Sequence, residues 1–200
     1  MTKVTLIFLS ITVVIIGYFF VRPTTAIPVA TVVLPDTILR NGDIIFRDGR
    51  GAISSIFRRM SLTDNSYSHA GIIHKDDGEI FVYHVIGGEG NNAVMRKDKL
   101  ITFCNRNEAF AFGVYRSDLD PGSIDSLAGI YFSKQIKFDD KFDLMTDDKM
   151  YCTELVYKVL KEVSAENNFL SLTTLRNIKY CSCDNIFLSP HMKKIISYKY

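Results

Sequence analysis

Two strand-like segments separated by a short turn constrain the fold more than any other part of the chain. The segments are Ser68–His74 and Ile80–Ile86, and the five residues between them, Lys75-Asp-Asp-Gly-Glu79, are typical of a tight turn. The sequence therefore predicts an antiparallel hairpin. Its register is left open, because the turn can close on Asp77-Gly78 or be centred on Asp76-Asp77.

Both registers place His69 and His84 on the same face of the hairpin, because successive side chains of a strand point to opposite faces. A turn centred on Asp76-Asp77 makes the two histidines direct cross-strand neighbours, whereas a turn on Asp77-Gly78 makes them a diagonal pair. His74 has the other parity and is expected to point away. One imidazole can then orient the other, as in a site where histidine acts as a base.

A second pattern predicts a helix that begins near Cys152. The apolar residues that follow have the spacing of one buried helix face; they are Leu155, Val156, Val159 and Leu160. Asp147 or Asp148 is the expected cap. A helix N-terminus favours a thiolate, so the sequence predicts that Cys152 is a nucleophile. The competing interpretation is that Cys152 is a small buried hydrophobic residue.

The N-terminal part of the chain is strongly apolar. Val4–Val21 is a run of eighteen residues without a charge, bounded by Lys3 and Arg22. We predict a hydrophobic helix over residues 1–22 that anchors the protein in a membrane, with residues 23–38 as a linker and residues 39–200 as the folded domain. A cleaved secretion signal is the alternative, since Thr24-Thr25-Ala26 offers small residues for cleavage. In both cases we expect the domain outside the cytoplasm, in the cell envelope or periplasm.

The composition excludes one class of partner and leaves other questions open. The net charge is +2 and no basic stripe is present, so we expect no nucleic-acid partner. The four cysteines (104, 152, 181 and 183) make a thin disulfide framework for a chain of this length, and their redox state is left open. No zinc-ligand spacing occurs, so we expect no metal and no other cofactor. The oligomeric state is also open.

The remaining patterns predict the elements around the histidine hairpin and the Cys152 helix. We expect a turn and strand at Gly42–Phe46, a short amphipathic helix through Ile53 and Met60, and a polar loop over Gly87–Lys99. Further along the chain we expect a strand at Phe110–Tyr115, a helix opening at Asp120-Pro121 and a final strand at Ile195–Tyr198.

Several of these motifs occur in an order that resembles a known family. The segments are Gly42–Phe46, Tyr67–Ile72, Phe138–Asp143 and Tyr151–Val156, followed by Ser189-Pro190. Together they resemble the YiiX/YebB-like cysteine hydrolases, a circularly permuted branch of the NlpC-type, papain-like superfamily. The resemblance covers the chain from about Leu39 to the C-terminus. Its strongest parts are the His-x-Gly-Ile and Cys-Thr-Glu-Leu-Val motifs taken together.

The resemblance implies an α+β, circularly permuted papain-like fold in which an antiparallel sheet packs on the helix that carries the nucleophile. It implies that Cys152 is the nucleophile and His69 the base. The third polar position, often a glutamate in close relatives, is here His84, as in NlpC peptidases. Tyr67, two residues before the base, and Tyr151, directly before the nucleophile, are expected to contact the substrate, with packing in the core as the alternative for Tyr67.

The function that we expect from these features is that of a hydrolase or acyltransferase of the cell envelope. It would act on an amide, ester or thioester bond through an acyl-Cys152 intermediate. The substrate would be a peptidoglycan peptide or a lipid acyl group. The alternatives are a binding or scaffolding module that keeps the fold without turnover, and, more weakly, a Cys/His metal site.

Overall fold

A computed structural model of the chain describes residues 37–87 and 93–200. The strands within these ranges are β1 (Ile44–Gly49), β2 (His69–Asp76), β3 (Glu79–Val85), β4 (Met95–Lys99), β5 (Ala109–Ser117), β6 (Lys137–Phe138), β7 (Lys149–Met150), β8 (Thr173–Leu175), β9 (Ile178–Tyr180) and β10 (Met192–Lys199). The helices are α1 (Ala52–Met60), α2 (Leu100–Phe103), α3 (Pro121–Ser133), α4 (Cys152–Ser164) and α5 (Cys183–Phe187).

The centre of the fold is a six-stranded antiparallel sheet in the order β10-β5-β1-β2-β3-β4. Both faces of its central strands are buried, which explains why β1 begins with three consecutive apolar residues, Ile44, Ile45 and Phe46, and not with an alternating pattern. One face packs against α3 and α4, and this core includes Ile44, Phe46, Ala70, Ile72, Leu155, Val156 and Val159. The opposite face includes Ile45, Ile73, Val82, Phe103, Phe112 and Val114. The predicted α+β class is therefore confirmed.

The β2–β3 hairpin has the first of the two predicted registers. Asp77 and Gly78 both have positive φ angles, 48° and 75°, which are typical of a two-residue type I′ turn. Pairing runs from Asp76↔Glu79 to Ile72↔Tyr83 and stops there. The ladder of hydrogen bonds between the two strands therefore ends before it reaches His69.

The predicted polar loop over Gly87–Lys99 is wrong in its last five residues, which form the strand β4. Met-Arg-Lys-Asp-Lys has no apolar alternation, because β4 is an edge strand whose side chains are mostly half-exposed. The short helix through Ile53 and Met60 is confirmed as α1. The cap of α3 is also confirmed, since the Ser123 N–H donates to Asp120 Oδ2 at 2.7 Å.

The predicted N-terminal hydrophobic helix and nearly all of the linker lie outside the described residues, so both stay predictions. Leu39, at the start of the predicted domain, is buried in the core on the α2 side of the sheet. None of the helices in residues 37–87 and 93–200 is long and apolar enough to cross a membrane.

Candidate active site

Cys152 is the first residue of α4, and its side chain is buried, with 4% of its surface exposed. The predicted cap at Asp147 or Asp148 is wrong, because the helix begins four to five residues after them, with Tyr151 at the N-cap. Glu154 satisfies the helix start instead, since its Oε2 accepts the Tyr151 N–H at 3.2 Å. Asp147 forms an ion pair with Lys158 at 2.8 Å.

The Cys152 sulfur lies against the backbone of the strand that carries His69. The N–H groups of Ala70, Thr153 and Cys152 itself are directed at the sulfur. The Ile73 N–H donates to the Asp43 carbonyl oxygen, on the side of β2 that faces β1. Backbone N–H groups of successive residues in a strand point to opposite sides, so the Ala70 N–H, three residues away, points towards β3. Since β2–β3 pairing has already ended at Ile72, this N–H has no strand partner there and can meet the thiol. The nucleophile candidate is thus beside the amide that directly follows His69, although α4 packs on one face of the sheet and the His69 ring contacts Phe103 on the other.

The protonation of Cys152 differs from the sequence-based expectation. A helix N-terminus favours the thiolate, but burial raises the pKa of the Cys152 thiol above its ordinary value. The three N–H groups and the charge of Arg47 oppose this rise without cancelling it. The resting side chain is therefore a neutral thiol that needs a base at the moment of reaction.

His69 and His84 form the diagonal pair that the hairpin register predicts. Their rings are nearly perpendicular, at 88°, and His69 Nε2 lies 2.9 Å from His84 Nδ1. His84 is buried, and its other nitrogen, Nε2, lies 3.1 Å from Asp98 Oδ2 on β4. His74, as expected, is on the other side of the sheet, where its Nδ1 lies 2.8 Å from Asp125 Oδ1 on α3.

This chain of contacts fixes where the protons lie. The hydrogen bond from His84 lowers the pKa of Asp98, so Asp98 is a carboxylate and only accepts. His84 must then carry its proton on Nε2 and accept at Nδ1, and His69 must donate from Nε2. Burial lowers the pKa of both histidines, so both rings are neutral near pH 7. The lone pair of His69 is thereby left on Nδ1.

Arg47 and Phe103 complete the surroundings of the two histidines, and sequence reasoning did not find them. Arg47 is the cross-strand neighbour of His69. Its guanidinium lies 4.8 Å from the centre of the Phe103 ring and donates to the Phe103 carbonyl at 3.2 Å. The Phe103 ring packs against His69 at 5.6 Å and His84 at 5.2 Å between ring centres. Arg47 is recognisable as a neighbour of His69 only from the β1–β2 pairing, which the sequence does not specify.

The two tyrosines expected to contact the substrate are both buried. Tyr67 stacks on Phe46, with ring centres 5.6 Å apart, and packs edge-on against Phe187. Tyr151 is 1% exposed, and its hydroxyl oxygen accepts the Cys181 N–H at 2.8 Å. In this structure both side chains therefore hold the core together, and Tyr151 positions the segment that packs on the start of α4.

A small cavity of about 10 Å³ lies next to Cys152. It is lined by Phe57 and Met60 of α1, by Ser68, by Tyr151 to Thr153 and by Cys181 to Cys183. A larger cleft of about 940 Å³ lies nearby, and Phe142 connects the two. The Phe142 ring contacts Phe57 and Tyr151, at 5.8 and 5.0 Å between ring centres, and also lines the larger cleft. All four cysteines are free thiols.

The fold is similar to that of a solved structure, described as the metalloprotein YiiX of Escherichia coli O157:H7 (DUF1105). The two share a TM-score of 0.64 at 19% sequence identity, over 80% of this chain and 98% of that chain. In the part of this chain that the structure describes, no group of three or more His, Cys, Asp or Glu side chains is placed to hold a metal ion. No curated protein matches the chain.

The model of one protein family matches residues 38–195, which is most of the chain. That family is described as permuted papain-like amidase enzymes, YaeF/YiiX, C92 family. The match includes both histidines of the pair, Asp98 and Cys152. It agrees with the resemblance found in the motifs and with the fold. The chain therefore belongs to the permuted papain-like amidase family of the YaeF/YiiX (C92) type, and it is a cysteine hydrolase of the amidase or peptidase kind.

Proposed function

We propose that the protein hydrolyses or transfers an acyl group through a thioester on Cys152, with His69 as the base. The observation that carries this proposal is the position of the Cys152 sulfur against the Ala70 N–H, directly after a histidine whose free lone pair is on Nδ1. Acyl transfer by a thiol needs a nucleophile, a base and a group that orients the base. Cys152, His69 and His84 are the candidates for these three roles.

The first half of the reaction forms the acyl-enzyme. His69 Nδ1 takes the thiol proton as the sulfur attacks the carbonyl carbon of the substrate. The oxyanion that develops is stabilised by N–H groups at the start of α4, which point out of the helix. The intermediate then collapses: the bond to the leaving amine or alcohol breaks, and the His69 proton passes to that leaving group.

The second half releases the acyl group. Water, or an acceptor alcohol or amine, loses a proton to His69 Nδ1 and attacks the thioester carbonyl. The carbon–sulfur bond breaks and the proton returns to the sulfur. The hydrolase and the acyltransferase differ only in which acceptor reaches Cys152.

His84 and Asp98 are positioning residues in this mechanism. Asp98 holds His84 in one tautomer, and His84 in turn holds His69 in the tautomer that leaves Nδ1 free. As His69 gains a proton, the carboxylate of Asp98 stabilises the positive charge through the buried His84. This extends the pair expected from the sequence by one residue.

The proposed setting is the cell envelope, with peptidoglycan peptides and lipid acyl groups as the candidate substrates. An acyl substrate is supported by three apolar side chains: Phe57 and Met60 line the small cavity at Cys152, and Phe142 contacts Phe57. The uncharged run Val4–Val21 supports a location at a membrane.

The experiment is to incubate the full chain separately with peptidoglycan fragments and with acyl lipids, and to measure the mass of the peptide that contains Cys152. We expect a gain equal to the transferred acyl group with one class of substrate. Cys152→Ser should abolish turnover, whereas Cys104→Ser, at a buried thiol that does not line the Cys152 cavity, should not. Turnover that survives in Cys152→Ser would overturn the proposal.

A further inference from the structure

The helix α1 presents large apolar side chains to solvent. None of its nine residues is buried, and Ile53 and Ile56 are 67% and 58% exposed. Leu62, just after the helix, is 60% exposed. Ile53 and Ile56 are three residues apart and lie on one side of the helix. Exposed aliphatic side chains grouped in this way are typical of an interaction surface.

The same helix forms one wall of the Cys152 cavity. Phe57 and Met60 line that cavity. The Phe57 ring also contacts the Phe142 ring, with ring centres 5.8 Å apart. The backbone carbonyl of Met60 is held by the Tyr180 hydroxyl at 2.9 Å. A molecule bound to the exposed side of α1 is therefore separated from the Cys152 cavity only by the thickness of this helix.

The charge beside this apolar surface is positive. Arg59 is exposed and lies about 60° round the helix axis from Ile56, at 3.6 residues per turn. Within the described ranges Arg59 forms no ion pair, whereas Arg58 is paired with Asp48. An apolar helix face flanked by a free arginine is typical of helices that lie on an anionic bilayer, with the apolar side chains among the lipid tails.

The sequence that precedes the described residues has the length that such docking needs. Between the uncharged run Val4–Val21 and the first described residue, the fifteen residues from Arg22 to Asp36 can span about 50 Å when extended. The strand β1, which separates residue 44 from the start of α1, is only about 20 Å long. If the apolar run lies in a bilayer, α1 can reach the surface of that bilayer.

We propose that the exposed side of α1 docks on an anionic membrane surface and so presents the Cys152 cavity to lipid acyl groups. The docking surface consists of Ile53, Ile56, Arg59 and Leu62. The docking itself is independent of the proposed function. The substrate class that it favours, an acyl group carried by a lipid, rests on the proposed function.

The test uses the absence of tryptophan from this chain. Ile56→Trp in the full chain introduces a single indole into the docking surface. Ile130→Trp introduces one at a matched control position on α3, where the side chain is 50% exposed. Both variants are reconstituted into vesicles of phosphatidylcholine and phosphatidylglycerol, with plain or brominated acyl chains. We expect that bromine quenches the indole of Ile56→Trp and shifts its emission to the blue, and that the Ile130→Trp indole is unaffected.

Charge dependence provides the second comparison. Adding Arg59→Glu to Ile56→Trp, or omitting phosphatidylglycerol, should reduce the quenching. Equal quenching in both tryptophan variants, or none in Ile56→Trp, would overturn the docking proposal. A blue shift without bromine quenching would also overturn it, because a second copy of the chain or the segment Val4–Val21 would then cover α1. No turnover is measured, so these results leave the proposed chemistry at Cys152 unchanged.

Discussion

At the residue scale, the chemistry depends on which nitrogen of each imidazole carries the proton. A neutral histidine presents one donor and one acceptor, and either tautomer of His69 would satisfy a hydrogen bond to His84 alone. Asp98 removes this freedom, since a carboxylate can only accept. The order of groups from Asp98 through His84 to His69 is therefore sufficient to explain why His69 keeps its lone pair on the nitrogen that we assign to the Cys152 thiol.

Replacing Asp98 tests this relay. Asp98→Asn removes the charge and offers a donor as well as an acceptor, so His84 and His69 are no longer held in one tautomer. We expect kcat/KM to fall about 10- to 100-fold, the range known for residues that orient a metal-binding histidine through its second nitrogen. The chain has four histidines, so nitrogen NMR of the labelled rings can show the tautomer directly.

The wild-type spectrum should show both His69 and His84 protonated on Nε2. Asp98→Asn should show a mixture, and Asp98→Glu should restore both the single tautomer and most of the activity. A loss of activity without any change of tautomer would mean that Asp98 has only a structural role.

The buried charge of Arg47 leads to a second prediction at this scale. Burial first, and then the charge of Arg47, lower the pKa of His69. Arg47→Met still places a long side chain against Phe103 but removes the charge, so the pKa of His69 should rise. Because the base must be neutral, the acid limb of kcat/KM should move to higher pH, and activity below pH 6.5 should fall.

The control for this prediction is Lys99→Met, which removes an exposed charge paired with Glu79. The acid limb should stay where it is in the wild type. If Arg47→Met leaves the limb unmoved, or moves it to lower pH, the charge of Arg47 does not act on the base.

The proposed nucleophile, the proposed base and the histidine that positions it were within reach of the sequence, and the residues that support them were not. His69 and His84 follow from the parity of one hairpin, and Cys152 follows from a helix start, because both patterns are local. Asp98 lies on an edge strand with no apolar alternation, so no periodicity marks it. Its role depends on the β3–β4 pairing, in which it sits opposite Val82.

At the element scale, the start of α4 is unusual because both its thiol and its carboxylate are buried. Cys152, Thr153 and Glu154 are all buried, although a helix N-terminus is normally solvated. Burial raises the pKa of Glu154 to about 7, in spite of its ion pair with Lys158 at 3.1 Å. The expectation of a favoured thiolate failed for the same reason, since the partial charge of a helix end is smaller than the cost of desolvating an anion.

This burial predicts a pH dependence of stability. A carboxyl whose pKa is raised from 4.5 to about 7 on folding adds stability below pH 4.5, and that contribution is lost as the pH rises through 7. Glu154→Gln keeps the acceptor for the Tyr151 N–H and cannot ionise. We therefore expect the free energy of unfolding of Glu154→Gln, relative to that of the wild type, to be higher at pH 8 than at pH 5. Urea unfolding at the two pH values measures this difference.

Glu166→Gln, at an exposed position after α4, should show a constant difference from the wild type across the same range. A difference between Glu154→Gln and the wild type that does not change with pH would contradict a raised pKa at this position. It would also weaken the argument that burial controls the neighbouring thiol.

At the scale of the whole molecule, the candidate site exists because the start of α4 lies at the end of the β2–β3 ladder, beside Ala70. The pieces come from distant parts of the chain: the histidine hairpin, the edge strand β4 and the first turn of α4. Local patterns predicted the hairpin and the helix, but not that one is packed against the end of the other. The family resemblance supplied that juxtaposition, and the structure places the Cys152 sulfur at the Ala70 amide.

The most direct test of the account is the rate at which Cys152 is acylated by an activated ester. p-Nitrophenyl acyl esters, which need no specific substrate pocket, are mixed with the wild type, His69→Ala and His74→Ala, and the intact mass is followed over time. We expect the acyl mass to appear on Cys152 in the wild type and at the same rate in His74→Ala. In His69→Ala, which lacks the proposed general base, acylation should be at least about 100-fold slower. Equal rates in His69→Ala and the wild type would show that Cys152 does not use this histidine.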